Sequence, residues 1–303
     1  MKIIITGSLG NISKPLTEEL VQNNHTVTVI SSKIERQEEI ESIGAKAAIG
    51  SMEDVKFLAK TFKGADIVYC MESLGAAAQF NQNIDTIEAI TQLGKNYAEA
   101  IQLSGVKNVI HLSSIGAHRE TGTGMLRFHY NVEQILRQLP NDVSIKFMRP
   151  VGFYYNMLAF IPSIKNAGSI FQNYGGDNKE PWVSPLDIAS VIAEEFEKPF
   201  NEKTVRYIAS EELSPNEVAK ILGEAIGRPE LKWVEISDEQ YLNTLLKVGL
   251  NPSRANGIVG MNQGRKSGAL YEDYILHKPT LGKTKLADYA KHFAAVYNSS
   301  NNK

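Results

Sequence analysis

The segment ITGSLGNISKPLTEEL, Ile5 to Leu20, decides how this chain should fold. It follows the isoleucine-rich start KIII and places Gly7 and Gly10 ahead of a stretch with helical spacing of apolar residues. Glycines between a strand and a helix let the backbone turn tightly and leave the helix N-terminus open to a phosphate group. Ser13 stands where a dinucleotide-binding loop usually has its third glycine, which mainly allows close helix packing, so a small serine is tolerable there. The segment therefore predicts a loop that holds the pyrophosphate of a dinucleotide.

The first half of the chain alternates between two patterns. Short runs rich in β-branched residues have the composition of strands buried on both faces: KIIIT, HTVTVI, AKAAIG, DIVYC, KNVIHLSS and VSIKFMR. Stretches with apolar residues at helical spacing separate them. Because parallel neighbours need crossover connections of this length, the alternation predicts an α/β fold, a Rossmann-type doubly wound parallel sheet in residues 1–150. The glycine loop makes this the expected NAD(P)-binding domain.

The alternation weakens after Pro150. Helix starts are marked by Ser184-Pro185, and by Ser214 with Glu217 three residues later, the spacing of a capping box. The pattern predicts that residues 151–303 form a smaller, mainly helical substrate domain, with some segments returning to the sheet. A ligand cleft is expected between this part and the carboxyl ends of the strands.

Composition excludes several classes of protein. The 32 basic and 34 acidic residues give a net charge of -2 without a basic stripe, so a nucleic-acid partner is not expected. Cys70 is the single cysteine, which rules out an intramolecular disulfide and, with no cysteine cluster, argues against a metal site. Since no apolar run reaches the roughly 18 residues of a membrane span, we expect a cytoplasmic protein without a membrane partner.

The end of the second predicted strand bears on cofactor choice. An acidic residue there would accept a hydrogen bond from the ribose 2'-hydroxyl of NAD, but this chain has Ser31, Ser32 and Lys33. Hydroxyl groups and a cation accommodate a 2'-phosphate and do not repel it. The segment therefore favours NADP(H) over NAD(H).

Five motifs carry a resemblance that covers nearly the whole chain. They are ITGSLGNIS, GVKNVIHLSS, RFHYNVEQILRQL, FMRPVGFYYNM and EPWVSPLDIASVIAEEF. With them the chain resembles the NmrA-like family of atypical short-chain dehydrogenases/reductases, in particular its NAD(P)H:quinone oxidoreductase and azoreductase-like members. The resemblance implies cofactor contacts at the glycine loop and after the second, fourth, fifth and sixth strands. Two departures concern cofactor preference: Ser51 replaces an acid that the family often has near the adenine, and Ser31 to Lys33 replace a frequent arginine.

The loop, the second strand and the resemblance together give the predicted site. The cofactor-binding residues are Thr6, Gly7, Ser8, Leu9, Gly10, Asn11, Ile12, Ser31, Ser32, Lys33, Ser51, Met71, Ser113, His129 and Phe153. The substrate-binding residues are Tyr154, Tyr155 and Asn156, where an aromatic segment would suit a flat substrate but is also common in plain core. The loop HRETGTGM, His118 to Met125, is either a mobile lid or an ordinary surface loop.

The helix after the fifth strand decides the mechanism. Many members of the wider superfamily have a Lys four residues after a Tyr, where it lowers the tyrosine pKa, but here Tyr130 is followed by Gln134. His129 and Glu133 share one face of the helix instead. The resemblance directs His129 toward the nicotinamide ribose, where it would hold the cofactor or act as a general acid, and His129 is the predicted catalytic residue. In a third interpretation Glu133 pins His129 and the pair only stiffens the helix.

Two functions of different classes remain. The leading one is an NADPH-dependent reductase that transfers hydride to a quinone-like or other conjugated small molecule, for which orientation by the protein is the main requirement. The rival is a non-catalytic dinucleotide sensor of the NmrA type that binds a protein partner. A nucleotide-sugar epimerase ranks last because its chemistry ordinarily needs the Tyr-Lys pair. The sequence leaves a homodimer open in each case.

Overall fold

A computed structural model of the chain describes residues 1–75, 78 and 80–299. The strands are β1 (Lys2–Ile5), β2 (Thr26–Ser31), β3 (Lys46–Ile49), β4 (Ile67–Cys70), β5 (Asn108–Leu112), β6 (Ser144–Pro150), β7 (Gly152–Phe153), β8 (Ser169–Gln172), β9 (Glu180–Val183), β10 (Lys203–Ile208), β11 (Glu211–Leu213) and β12 (Lys232–Glu235). The α-helices are α1 (Ser13–Gln22), α2 (Gln37–Ser42), α3 (Val55–Phe62), α4 (Thr86–Ser104), α5 (Arg127–Arg137), α6 (Ile161–Ala167), α7 (Pro185–Phe196), α8 (Pro215–Ala225), α9 (Asp238–Lys247), α10 (Pro252–Lys266), α11 (Glu272–Leu276) and α12 (Leu286–Ser299). Segments of 3-10 helix span Ile34–Arg36, Gly124–Leu126 and Tyr154–Phe160.

Seven strands form one parallel sheet in the order β10-β6-β5-β4-β1-β2-β3. This confirms the predicted Rossmann-type α/β fold. The chain proceeds from β1 outward to β2 and β3, and then returns to the other side of β1 with β4. Such a reversal leaves a crevice at the carboxyl ends of the two strands that flank it. The expected ligand crevice thus lies where β1 and β4 end.

The isoleucines of β1 show how the sequence builds the two layers. Side chains alternate along a strand, so Ile3 and Ile5 face one layer of helices and Ile4 faces the other. Leu16 and Leu20 of α1 belong to the first layer with α7, and α3, α4 and α5 form the second. All three isoleucines are buried, which explains why the start of the chain is apolar without alternation.

The C-terminal part contributes to the sheet as well as to a separate core. β10 lies at the sheet edge beside β6, and α7 packs against α1. A small sheet in the order β11-β9-β7, a β12-β8 pair and the helices α6, α8 and α12 surround their own apolar cluster. The predicted capping box of α8 is confirmed, since Ser214 Oγ accepts from Glu217 N at 3.2 Å and Glu217 Oε2 accepts from Ser214 N at 2.8 Å. Within the described ranges, no helix is long and apolar enough to cross a membrane.

Candidate functional site

The loop between β1 and α1 requires glycine at Gly7. Its φ of +87° lies in the left-handed region, and a Cβ there would lie 2.5 Å from Met71 Sδ and 3.0 Å from Ser13 Oγ. Ser8 also has a positive φ, of +55°, and its backbone N–H donates to the Ile30 carbonyl at 3.1 Å. The loop is therefore a tight turn held against both β2 and the segment after β4.

Gly10 and Ser13 have different surroundings. A Cβ at Gly10 would meet the Gly7 carbonyl oxygen at 3.4 Å, an ordinary contact, so the space in front of Gly10 is open. Ser13, in the place of the usual third glycine, donates from Oγ to the Thr6 carbonyl at 3.2 Å and is buried. The Lys14 N–H bonds the Gly10 carbonyl at 2.9 Å, and no side chain from the described part of the chain caps the N-terminus of α1. Because the Lys14 amide is engaged and Pro15 has no N–H, the amides that precede Lys14 are the ones that can receive an anion at this end of α1.

Thr6 connects the ends of β1 and β4. Its Oγ1 accepts a hydrogen bond from Met71 N at 2.8 Å, and its backbone N–H donates to the Tyr69 carbonyl at 3.1 Å. Tyr97 of α4, which the sequence analysis did not select, donates from its hydroxyl to the Met71 carbonyl at 2.7 Å. These bonds fix the two segments that border the crevice.

The end of β2 places Ser31 and Ser32 in different roles. Ser31 is buried, and its hydroxyl accepts from Ser8 Oγ at 3.0 Å and from Lys33 N at 3.2 Å. Ser32 and Lys33 are exposed and line an open depression of ≈ 760 Å³, which also includes Arg36. Ser31 therefore holds the loop in place, while Ser32 and Lys33 are available to a ligand.

Ser51 lies two residues beyond the end of β3, the neighbouring strand. It is exposed and its Oγ accepts from Glu53 N at 3.1 Å, while the preceding Gly50 donates its N–H to the Ser31 carbonyl at 2.9 Å. Ile49, at the end of β3, lines the same depression as Ser32. The structure thus brings Ser51 to the edge of the sheet where the loop and the end of β2 also lie.

The interpretation in which Glu133 pins His129 is wrong. Glu133 is fully buried and accepts from Ser113 Oγ at 2.6 Å and from Arg149 at 2.8 Å (Nε) and 2.7 Å (Nη2). A buried carboxylate must be compensated by a cation and hydrogen bonds, and Arg149 at the end of β6 supplies both. Sequence spacing identified a neighbour on the same helix, whereas the decisive partner comes from a strand.

His129 is half-buried and has few polar contacts. Its Nδ1 is buried without a hydrogen-bond partner among the described residues, and the Phe128 ring lies 3.9 Å from its own ring, centroid to centroid. Burial, followed by the charges of His111 and Arg149, holds the pKa of His129 well below its usual value. The imidazole is therefore neutral at neutral pH, which favours hydrogen bonding to a ligand over the general-acid role.

A buried pair that the sequence analysis missed lies at the ends of β4 and β5. The His111 Nε2 is 3.0 Å from Glu72 Oε1 and 3.2 Å from Oε2, and both side chains are fully buried. Two features of the sequence could have identified it: a histidine inside the apolar run VIHL, and an acid two residues after the apolar strand DIVYC. The pair connects the segment that contains Met71 to β5.

The aromatic segment after β6 is divided between core and surface. Phe153 is half-buried in β7, whereas Tyr154 is fully buried in the C-terminal core and its hydroxyl donates to Glu211 Oε1 at 2.5 Å. This burial argues against a direct substrate contact by Tyr154, because none of its surface is accessible. Tyr155, 44% exposed, and Asn156 retain open surface.

Glycines allow the loop from His118 to Met125 to pack closely against α10. A Cβ at Gly124 would overlap the backbone of α10 at Gly257 and Met261, and a Cβ at Gly264 would overlap the Gly122 carbonyl oxygen. Backbone therefore lies directly on backbone between this loop and α10. In this structure the loop is docked on α10.

A second cavity, of ≈ 710 Å³, lies apart from the glycine loop. It is lined by Arg149, Tyr207 and Asp273, among others. Arg149 Nη1 donates to Asp273 Oδ2 at 2.9 Å, and the Tyr207 hydroxyl donates to the same oxygen at 2.6 Å. Since these groups already satisfy one another, we assign this cavity no ligand. No group of three or more metal-ligating side chains occurs in the described ranges.

Comparisons with known proteins find chains that are similar to this one in sequence and in fold. A curated reductase from Streptomyces griseus subsp. griseus, named (4-alkanoyl-5-oxo-2,5-dihydrofuran-3-yl)methyl phosphate reductase, is 22% identical over 269 residues, 88% of each chain. An Escherichia coli NADPH-dependent quinone oxidoreductase, solved with NADPH, has a TM-score of 0.78 at 19% identity over 96% of this chain and 99% of that one. NmrA, a negative transcriptional regulator solved with NAD, has a TM-score of 0.76 at 15% identity over 100% and 98%.

The two solved structures show the fold, since both are below 25% identity. The family is shown by a separate comparison, in which the sequence profile of the NmrA-like family matches residues 1–274. That match contains all the motifs on which the resemblance was based. The chain therefore belongs to the NmrA-like family.

Proposed function

We propose that this chain binds NADP(H), in preference to NAD(H), and transfers hydride to a quinone-like or other conjugated small molecule. The observation that carries the proposal is the uncapped N-terminus of α1 behind the Gly7 turn, at the crevice between β1 and β4. Free amides and the helix dipole favour two phosphate charges at this position. The open space in front of Gly10 fits such a group, since a side chain there would fill it.

The glycine loop and the end of β2 would hold the adenosine half of the cofactor. In the proposal, backbone from Gly7 to Ile12 binds the pyrophosphate. Ser32 and Lys33 bind the 2'-phosphate, because a hydroxyl and an ammonium group without a partner among the described residues line the depression beside β2. Ser51 lies on the adenine side, and Ser31 positions the loop through its bond to Ser8.

The ends of β4, β5 and β6 would hold the nicotinamide half. Met71 and Phe153 offer apolar surface beside the crevice, and His129 offers a neutral imidazole that can donate one hydrogen bond. Ser113 already donates to Glu133, so its contribution is to fix the backbone after β5. The chain's residues bind, orient and exclude water; the bound reduced nicotinamide supplies the hydride.

Tyr155 and Asn156 would contact the substrate, because they are the exposed members of the aromatic segment. Tyr130 is followed four residues later by Gln134 and not by Lys. The Tyr-Lys pair that could donate a proton is therefore missing at this position. An acceptor such as a quinone suits this site because its reduced oxygen can take a proton from water once the ring is oriented. The names of two relatives agree with this proposal, since one is named a quinone oxidoreductase and the other a reductase.

A second candidate function is a dinucleotide sensor that binds a protein partner. The missing Tyr-Lys pair favours it, as does the similarity to NmrA, which is named a transcriptional regulator. Under either function we propose a cytoplasmic location, supported by a single buried cysteine, Cys70, and we leave self-association to be measured.

The test is oxidation of NADPH, followed by its absorbance, with a panel of quinones and azo dyes. The reductase proposal predicts turnover with at least one acceptor, and loss of turnover in Gly10→Val. Tight binding of the nucleotide without turnover on any acceptor would select the sensor. Absence of binding would reject both functions.

A further inference from the structure

Glu39 lies between two cations at the rim of the depression beside β2. Its Oε1 is 3.0 Å from Lys14 Nζ and its Oε2 is 2.5 Å from Arg36 Nη1. All three side chains are between 37% and 44% exposed, so each remains accessible to a ligand. Each carboxylate oxygen of Glu39 thus engages one cation.

The two cations come from elements that border the proposed cofactor site. Lys14 lies in the first turn of α1, the helix whose N-terminus is proposed to receive the pyrophosphate. Arg36 ends the 3-10 helix that follows Lys33, and it lines the depression with Ser32 and Glu39. A phosphate bound at Ser32 would therefore share the depression with Lys33 and Arg36, while Lys14 contacts the Glu39 carboxylate that lines it.

The three cations differ in availability. Lys33 Nζ has no hydrogen bond or ion pair in the part of the chain that the structure describes, whereas Lys14 and Arg36 are both engaged by Glu39. Hydrogen bonds from Lys14 and Arg36 lower the pKa of Glu39, so its carboxylate is ionised at neutral pH. An incoming phosphate would therefore meet the negatively charged carboxylate of Glu39.

We infer that Glu39 determines specificity at the cofactor site by competing with the 2'-phosphate for Lys14 and Arg36. A nucleotide with a 2'-phosphate must displace the carboxylate or bind beside it, while a nucleotide with a 2'-hydroxyl leaves the Lys14–Glu39–Arg36 arrangement intact. Lys33 and Ser32 then provide the remaining preference for the phosphorylated form. The inference rests on the proposed function, since it assumes that the adenosine ribose lies beside Ser32.

The direction of the effect follows from the charges. The 2'-phosphate carries close to two negative charges at neutral pH, and Glu39 repels it across a short distance at the rim. Removing the carboxylate charge ends this repulsion and releases Arg36, which lines the same depression, and Lys14, which lies beside Glu39. Exposed charges are screened by water and salt, so we expect an effect of about tenfold on affinity.

The experiment compares dissociation constants for NADPH and NADH in Glu39→Gln and in the parent protein at low ionic strength. NADPH binding should tighten by about tenfold, while NADH binding should change by less than about twofold. The difference should shrink as salt is added. Because Glu39 lies at the surface, the variant should keep the parent's melting temperature, which is measured alongside.

Glu35→Gln is the matched control. Glu35 is exposed, lines the same depression and loses the same charge, but it makes no ion pair within the described ranges. It should change the NADPH to NADH ratio by less than about twofold. An unchanged ratio in Glu39→Gln, or an equal change in both variants, would overturn the inference while the proposed function stands. If the parent protein binds neither nucleotide, the proposed function fails first and the inference fails with it.

Discussion

Arg149 holds the fully buried Glu133 by two hydrogen bonds, from Nε to Oε1 at 2.8 Å and from Nη2 to Oε2 at 2.7 Å. The pair joins the end of β6 to the middle of α5, and Ser113 at the end of β5 donates to the same carboxylate. Three elements that border the proposed nicotinamide position are thus fixed by one buried charge. Arg149, in the motif FMRPVGFYYNM, therefore has a structural role.

Arg149→Met should destabilise the protein by about 3–5 kcal/mol, because it leaves Glu133 buried without its cation. Arg137→Met is the matched control: Arg137 donates one longer bond to Glu133, at 3.2 Å, and its side chain is 33% exposed. The control should lose about 1 kcal/mol or less. Urea unfolding measures both, and equal losses would contradict the central place of Arg149.

Gly10→Val should abolish binding of the dinucleotide while leaving the melting temperature close to that of the parent. The isopropyl group would fill space that the structure leaves open, and it would block the pyrophosphate. Gly7→Ala should behave differently, because φ is +87° and a Cβ would collide with Met71 Sδ, so stability should fall along with binding. Nucleotide titrations and thermal unfolding of the two variants separate these effects; unchanged affinity in Gly10→Val would refute the placement of the pyrophosphate.

Ser32→Asp should weaken NADPH binding more than NADH binding, by about tenfold in the ratio. A carboxylate at the end of β2 repels a 2'-phosphate and can accept a hydrogen bond from a 2'-hydroxyl. Ser32→Asn has a similar shape without the charge and should change the ratio little. If the aspartate variant loses both nucleotides equally, the 2'-phosphate does not lie at Ser32.

His129 should make the protein less stable at mildly acidic pH. Burial holds its pKa in the folded state well below the usual 6.5, so the unfolded chain takes up a proton that the folded chain resists. The stability that depends on neutral His129 is complete above pH 6.5 and is lost as the pH falls below that value. Between pH 6.5 and 5 the free energy of unfolding should therefore decline by about 1–2 kcal/mol more in the parent than in His129→Gln. Parallel curves would show that His129 titrates normally.

Gly264→Ala should destabilise the contact between α10 and the loop at Gly122 by about 2–3 kcal/mol, since the new methyl group would overlap a carbonyl oxygen. Gly260→Ala lies on the same helix, where a Cβ would meet Gly124 Cα at 3.3 Å. There the gain in helix propensity of about 1 kcal/mol should offset the tight contact. Chemical unfolding distinguishes the two, and similar losses would mean that the loop is not docked as described.

The sequence was sufficient for the fold because the relevant signals are local. The run Ile3 to Ile5 and the glycine at Gly7 specify a buried strand followed by a tight turn, and both features depend on residues that are adjacent in the chain. The capping box of Ser214 and Glu217 is local in the same sense. The six strands predicted in the first half of the chain accordingly appear as β1 to β6.

The partners inside the candidate site were not predictable in the same way. Glu133 was assigned to His129 from helix spacing, but its partner Arg149 is 16 residues away on a strand. Glu72 and His111 are 39 residues apart and meet only because β4 and β5 are neighbours. Such pairings depend on strand order and register, which residue spacing does not contain.

Tyr154 shows a second reason for error. An aromatic segment has the same sequence pattern whether it faces a ligand or the core, and only burial separates the two. The structure places Tyr154 in the core and leaves Tyr155 exposed, although the residues are adjacent and chemically identical. The difference in burial follows from the start of the 3-10 helix at Tyr154. No residue in the segment predicts that the helix starts there.

Binding of the dinucleotide is measured by titrating the purified protein with NADPH and NADH, followed by calorimetry or by nucleotide fluorescence. We expect saturable binding of one nucleotide per chain for NADPH, weaker binding of NADH, and loss of both in Gly10→Val. Purified, folded protein that binds neither nucleotide would contradict this expectation.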